Sequence, residues 1–152
     1  MSRAEKAKTY FLEGYACSQA VMLAFADVCG LDEITIKKVM LPFGGGLGRL
    51  RLTCGALSGM AGVIGMVFTT DEKTPENKKL VYAIVQELSA KFKAQFGSLL
   101  CGELLAGMNV PVEVGGVAET RSADYYKKRS CADMVAITAQ ITEDYLKEKG
   151  VI

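Results

Sequence analysis

Apolar positions recur at helical spacing along most of the chain, and no clean period-two alternation bounded by turn residues marks a strand. Over residues 4–12, Ala4, Ala7, Tyr10 and Phe11 share one helical face, and Gly14 supplies a stop. A second helix is predicted over 17–29, with Val21, Ala24, Phe25 and Val28 in register and Gly30 at its end. Asp32 has the position of an N-cap for a third helix reaching Met40, and Pro42 follows as its stop. From Leu52 to Thr70 the chain runs 19 residues without a charge. A membrane span needs about 20 predominantly apolar residues. This stretch carries Thr53, Ser58, Thr69 and Thr70 and glycines at 55, 59, 62 and 65, so it predicts a buried central helix over roughly 54–68. Its small residues would let neighbouring helices approach closely.

Thr74-Pro75 opens a long amphipathic helix whose stripe is Val81, Ile84, Val85, Leu88, Phe92 and Phe96, ending at Gly97. A shorter piece, 101–106, is closed by Gly107. Residues 108–130 hold Pro111, Gly115 and Gly116 and read as one long irregular connection. The last helix is expected over 131–149, with Met134, Ile137, Ile141 and Tyr145 on one face and Lys147 and Lys149 near its negative end. The expected fold is all-α: one domain over 1–152, a bundle of about six helices around the charge-free one.

Composition supports that picture and narrows the chemistry. With 152 residues, 50% of them apolar and 23% charged, the chain has ample material for one core and is no disordered segment. Eighteen basic residues against 17 acidic ones leave a formal charge of +1, which argues against nucleic acid or anionic lipid as the main partner. Histidine is absent, and that excludes Ser-His-Asp and Cys-His catalysis, Cys2His2 zinc and His-ligated haem from this chain alone. Residues 1–8 mix both charges and lack the apolar stretch of a signal peptide, so a cytosolic setting is expected. There, cysteines point to metal or redox chemistry more than to permanent disulfides.

Lining up the expected helix starts brings out one regularity. Cys17, Cys54, Cys101 and Cys131 each stand at or beside the head of a helix. A helix start offers unpaired N–H donors and the positive end of the macrodipole, and both favour thiolate over thiol. Glu103 and Asp133, two residues beyond their cysteines, would oppose this. Cys29 falls at a helix end beside Gly30, where the dipole disfavours a thiolate, and reads as structural. There is no Cys-x-x-Cys, which argues against thioredoxin-like chemistry and the usual zinc-ribbon and ferredoxin patterns. Four cysteines converging from separate helices would permit tetrahedral zinc or an iron–sulfur cluster; converging in pairs they would permit disulfides; and packed singly they are small hydrophobes.

The segment Gly44-Gly45-Gly46-Leu47-Gly48 lacks the third glycine of a dinucleotide fingerprint, since Arg49 stands there, and lacks the Gly-Lys-Ser/Thr of a Walker A loop. It reads either as a tight turn under the central helix or as an anion-friendly rim. In the second reading, the backbone of Gly44, Gly45 and Gly46 with Arg49 and Arg51 would lower the Cys54 thiol or receive an anionic substrate.

The chain resembles the C_GCAxxG_C_C family of redox-active proteins. The resemblance runs through Gly14-Tyr15-Ala16-Cys17-Ser18-Gln19-Ala20-Val21, Phe43-Gly44-Gly45-Gly46-Leu47-Gly48, Cys54-Gly55-Ala56-Leu57-Ser58-Gly59, Cys101-Gly102-Glu103-Leu104-Leu105-Ala106-Gly107 and Cys131. It implies an all-helical domain, like one found in split-Soret cytochrome c, with Cys17, Cys54, Cys101 and Cys131 as the motif cysteines in a redox-active or metal-binding role. The central motif here reads Cys-Gly-Ala where the family label reads Gly-Cys-Ala, and Cys29 is not a motif cysteine. Three readings follow. The first is a cytosolic redox protein cycling thiols and disulfides with a redox partner, Cys54 being the most reactive thiol. The second is a module holding zinc or an iron–sulfur cluster on the same four cysteines. The third is a helical interaction domain. A homodimer burying helix faces is compatible with each.

Overall fold

The computed structural model describes residues 1–152 and is all-α. Its helices are α1 (Arg3–Leu12), α2 (Cys17–Leu23), α3 (Ala26–Cys29), α4 (Glu33–Met40), α5 (Gly55–Phe68), α6 (Pro75–Phe96), α7 (Cys101–Gly107), α8 (Ala123–Lys128) and α9 (Cys131–Glu148), with a 3-10 turn at Leu41–Phe43. The caps explain where several of these begin. Ser2 accepts from the Glu5 amide and Glu5 returns a carboxylate oxygen to the Ser2 amide, which closes a capping box on α1. Asp32 caps α4 through the Thr35 amide, and Thr74 caps α6 through the Asn77 amide with Pro75 in the first turn. Gly97 ends α6 in the left-handed conformation at φ +88°.

The structure departs from the expected pattern in three places. The helix expected over 17–29 is two, α2 and α3, separated at Ala24 and Phe25. Phe25 leaves helical geometry at φ −119°, ψ 19° while its ring is fully buried, so tertiary packing rather than any breaker residue sets the division. The connection 108–130 is not wholly irregular, because α8 lies inside it with Ser122 accepting from the Tyr125 amide as its cap. Gly107 falls within the last turn of α7, and the left-handed residue beyond it is Asn109 at φ +59°. The chain therefore forms nine helices, where about six around the charge-free one were expected.

Charge-free α5 packs against α2, α3, α6 and α9. Leu57, Met60, Val63 and Ile64 are buried along it, each burial stabilising by about 1.5–3 kcal/mol relative to exposure. No helix is long and apolar enough to cross a membrane. Its glycines allow close approach to α2: a β-carbon at Gly59 would stand 2.6 Å from the Ser18 carbonyl oxygen, and one at Gly55 would stand 3.3 Å from Cys17 Cβ. That closeness brings the head of α2 to the head of α5. Ser18 secures the arrangement by donating to the Met40 carbonyl at 2.6 Å, and Gln19 donates to the Lys37 carbonyl at 2.8 Å.

Candidate functional site

The heads of α2, α5, α7 and α9 meet around one cavity of about 290 Å³. Cys17, Cys101 and Cys131 are the first residues of α2, α7 and α9, and Cys54 is the N-cap of α5. All four line the cavity, as do Gly44, Gly45, Gly46, Arg49 and Arg51. Cys29 is buried away from it at the end of α3, and Glu103 and Asp133 do not line it either. Glu103 instead accepts from Ser98, and Asp133 pairs with Lys8 at 2.9 Å.

The glycine-rich segment is the wall of this cavity. From 45 to 51 the backbone is repeatedly left-handed, at Gly45, Gly46, Leu47, Gly48, Arg49 and Arg51. Three of these are not glycine, a conformation that costs about 1–3 kcal/mol each where the surroundings enforce it. The surroundings here are hydrogen bonds: Leu52 N–H to Gly46 O at 2.8 Å, Gly48 N–H to Pro42 O at 2.7 Å and Arg51 N–H to Gly45 O at 3.1 Å. The same segment binds the head of α7, where Cys101 N–H donates to Leu52 O at 2.6 Å and Gly102 N–H to Arg51 O at 3.1 Å. The donors of α7 are thus used by the backbone and not turned on the Cys101 sulfur.

Residues not singled out by the sequence complete the wall. Glu119, Arg121, Tyr125 and Arg129 come from the segment before α9 and from α8. Arg49, Arg51 and Arg129 converge on the Glu119 carboxylate; the Arg51 and Arg129 Nη2 atoms lie 3.5 and 3.4 Å from its Oε1. Burial pushes Glu119 upward, but its own amide and the Arg49 and Arg129 guanidiniums outweigh this and hold it below the ordinary carboxylate range. Arg121 donates to the Phe11 and Tyr15 carbonyls at 3.0 and 3.2 Å while lying over the Phe11 ring at 4.3 Å, and Arg129 lies over Tyr125 at 4.1 Å. Arg129, two residues before Cys131, was the nearest sequence signal of this cluster.

The four thiols are not alike. Cys17 and Cys131 both line the cavity, and interaction between the two thiols shifts them in opposite directions. Donation by Cys17 holds the Cys131 thiol below its ordinary value against the cost of burial, aided by Arg129, Arg121 and Arg51. Cys17 is raised by the same contact and by burial. Burial pushes Cys54 up to about 12, outweighing the Ala56 and Leu57 amides at the head of α5. Cys101 is raised by burial although Arg51 Nη1 reaches its sulfur at 3.7 Å. The expectation that Arg49 and Arg51 single out Cys54 therefore needs correction. Arg49 is spent on Glu119, Glu113 and the Gly115 carbonyl, and Arg51 on Cys101 and the Glu113 carbonyl.

Zinc or an iron–sulfur cluster would need three or four of these sulfurs drawn into one coordination group. The cavity gathers the cysteines but forms no group of three or more His, Cys, Asp or Glu side chains placed to hold a metal ion. A family model described as "Putative redox-active protein (C_GCAxxG_C_C)" matches residues 15–145. No curated protein and no solved structure matches the chain.

Proposed function

Since the chain belongs to the C_GCAxxG_C_C family, which is described as redox-active, we propose that it is a thiol–disulfide redox protein in which Cys131 is the attacking thiolate and Cys17 the resolving thiol. The observation that carries this reading is that Cys17 and Cys131 line one cavity whose charged wall is four arginines and a single carboxylate, Glu119. Cys131 stands at the head of an 18-residue helix, so the macrodipole adds to the arginines there.

The reaction balances with a disulfide as the other reactant. The Cys131 thiolate attacks one sulfur of the substrate disulfide; that S–S bond breaks and one thiolate leaves. Cys17 then attacks the Cys131 sulfur, its proton passes to the departing thiolate, and a Cys17–Cys131 disulfide remains. The protein dithiol has lost two electrons and the substrate has become two thiols. Cys54 and Cys101, both raised, stay protonated through the cycle and shape the wall.

Treatment of the reduced protein with 2-hydroxyethyl disulfide, followed by non-reducing peptide mapping, tests the assignment. The expected product is a Cys17–Cys131 disulfide with two thiols lost, and in Cys17→Ser a mixed disulfide trapped on Cys131. A disulfide that includes Cys54, or a thiol count that does not change, would overturn it.

A further inference from the structure

The cavity has a charge imbalance that the chain as a whole lacks. Four of the chain's five arginines line it, none of its lysines does, and Glu119 is the one carboxylate on its wall. Arginine rather than lysine is the choice where a planar two-oxygen anion is to be held, because its donors form a rigid fork. Three of these guanidiniums share the single Glu119 carboxylate, and they are deeply placed: the Arg49, Arg51 and Arg129 side chains are each only 9% exposed. Donors are left over. Arg49 Nε and Arg51 Nη2 are buried without a hydrogen-bond partner, and Arg51 Nη2 reaches Glu119 only at 3.5 Å. Leaving a buried charged donor unsatisfied is costly, so groups of this kind are ordinarily completed by a ligand or water.

The unfilled capacity lies beside the sulfur pair. Arg49, Arg51 and Cys131 line the same cavity, and Arg51 also acts on Cys131, so an anion held by Arg51 and Arg49 sits within the same small space as the attacking sulfur. About 290 Å³ is at the lower limit of small-molecule sites, roughly 300 Å³, and suits a compact molecule more than a nucleotide. We infer that the cavity receives the carboxylate of a small acidic disulfide, held by the free donors of Arg51 and Arg49, and that the substrate class is a low-molecular-weight, carboxylate-bearing disulfide. This inference rests on the Cys17–Cys131 reading for its reaction, while the anion site rests on the arginines alone. The reaction is the exchange already given: the acidic disulfide is reduced to two acidic thiols and the Cys17–Cys131 pair is oxidised.

Three disulfides of similar length and different charge test it: 3,3′-dithiodipropionate, 2-hydroxyethyl disulfide and cystamine, each reacted with the reduced protein at low, constant ionic strength. The acidic disulfide is expected to oxidise the pair at least about tenfold faster than the neutral one, and cystamine is expected to be slowest. The acidic-to-neutral ratio should fall toward one in Arg51→Gln. The ratio is the readout, since Arg51 also acts on Cys131 and alters all three rates. If that variant fails to fold, Arg49→Gln decides in its place. Equal rates for the three disulfides, or an unchanged ratio in the variant, would overturn the inference and leave the redox reading standing. Oxidation by none of them would sink the redox reading and, with it, the assigned substrate. The anion site itself is then decided by a redox-inert probe, 3,3′-thiodipropionate: a rise in Tm for the wild-type protein but not for Arg51→Gln supports it, and no rise refutes it.

Discussion

Gly46 lies so close to Cys101 that a β-carbon at position 46 would stand 2.7 Å from that of the cysteine, and 2.6 Å from the Leu52 amide nitrogen. Its backbone is also left-handed, at φ +74°. Gly46→Ala therefore has nowhere to put its methyl group without moving the Leu52–Cys101 hydrogen bond. It should cost about 2–4 kcal/mol of stability. Gly48 is left-handed too, but has only the Pro42 carbonyl at 4.0 Å, so Gly48→Ala should cost about 1 kcal/mol from conformation alone. Chemical denaturation of both variants checks the difference, and equal losses would count against a steric role for Gly46.

Reactivity should separate the cysteines by pH. With Cys131 lowered and Cys17, Cys54 and Cys101 raised, iodoacetamide at neutral pH should label Cys131 first, as read by peptide mass spectrometry. Cys17→Ala removes the thiol that donates to the Cys131 thiolate. Loss of a donor to the charged form raises the pKa, so the Cys131 labelling midpoint should move to higher pH. A midpoint that stays in place would show that the arginines alone hold Cys131 down.

The helices with local signals were legible in sequence. Asp32, Thr74-Pro75 and Gly97 announce α4 and α6 because a cap is a contact between near neighbours. The division between α2 and α3 was not legible, since the apolar spacing continues through Phe25 and only burial of that ring against distant helices decides it. The site was half legible. Helix-start cysteines are a local property, so Cys17, Cys54, Cys101 and Cys131 could be grouped before their convergence was known. Glu119, Arg121 and Tyr125 join them through contacts spanning up to 110 residues, such as Arg121 to Phe11, and no spacing encodes those. The choice of Cys131 over Cys54 has the same origin: Arg49 and Arg51 neighbour Cys54 in sequence but turn to Glu119, Glu113 and Cys101 in space.

Arg121 ties α8 and the segment before it to α1. It donates to the Phe11 carbonyl at 3.0 Å, the Tyr15 carbonyl at 3.2 Å and the Tyr126 hydroxyl at 3.3 Å, over the faces of Phe11 and Tyr125. Arg121→Ala should cost about 2–3 kcal/mol and speed amide exchange over 109–130. Arg121→Lys keeps the charge and loses the fork. It should restore the Cys131 labelling midpoint toward the wild-type value more fully than it restores stability. If lysine restores both alike, the hydrogen-bond fork is not what holds α8 in place.

Alkali should destabilise the fold through its buried thiols. Burial raises Cys54 from an ordinary 9.0 to about 12 and Cys29 to about 11. Between those values the unfolded chain releases thiol protons that the native protein retains. The stability these groups contribute is whole below about pH 9 and is lost as pH rises toward the native values. Each unit of pH is about 1.4 kcal/mol per group, so Cys54 alone should remove about 2–3 kcal/mol between pH 9 and 11. Cys54→Ala should be less stable than wild type at pH 7, from the lost packing, yet should lose less stability on going to pH 11. Urea denaturation of both proteins across that range measures the two slopes, and parallel slopes would mean that Cys54 ionises in the native protein as freely as in the unfolded chain.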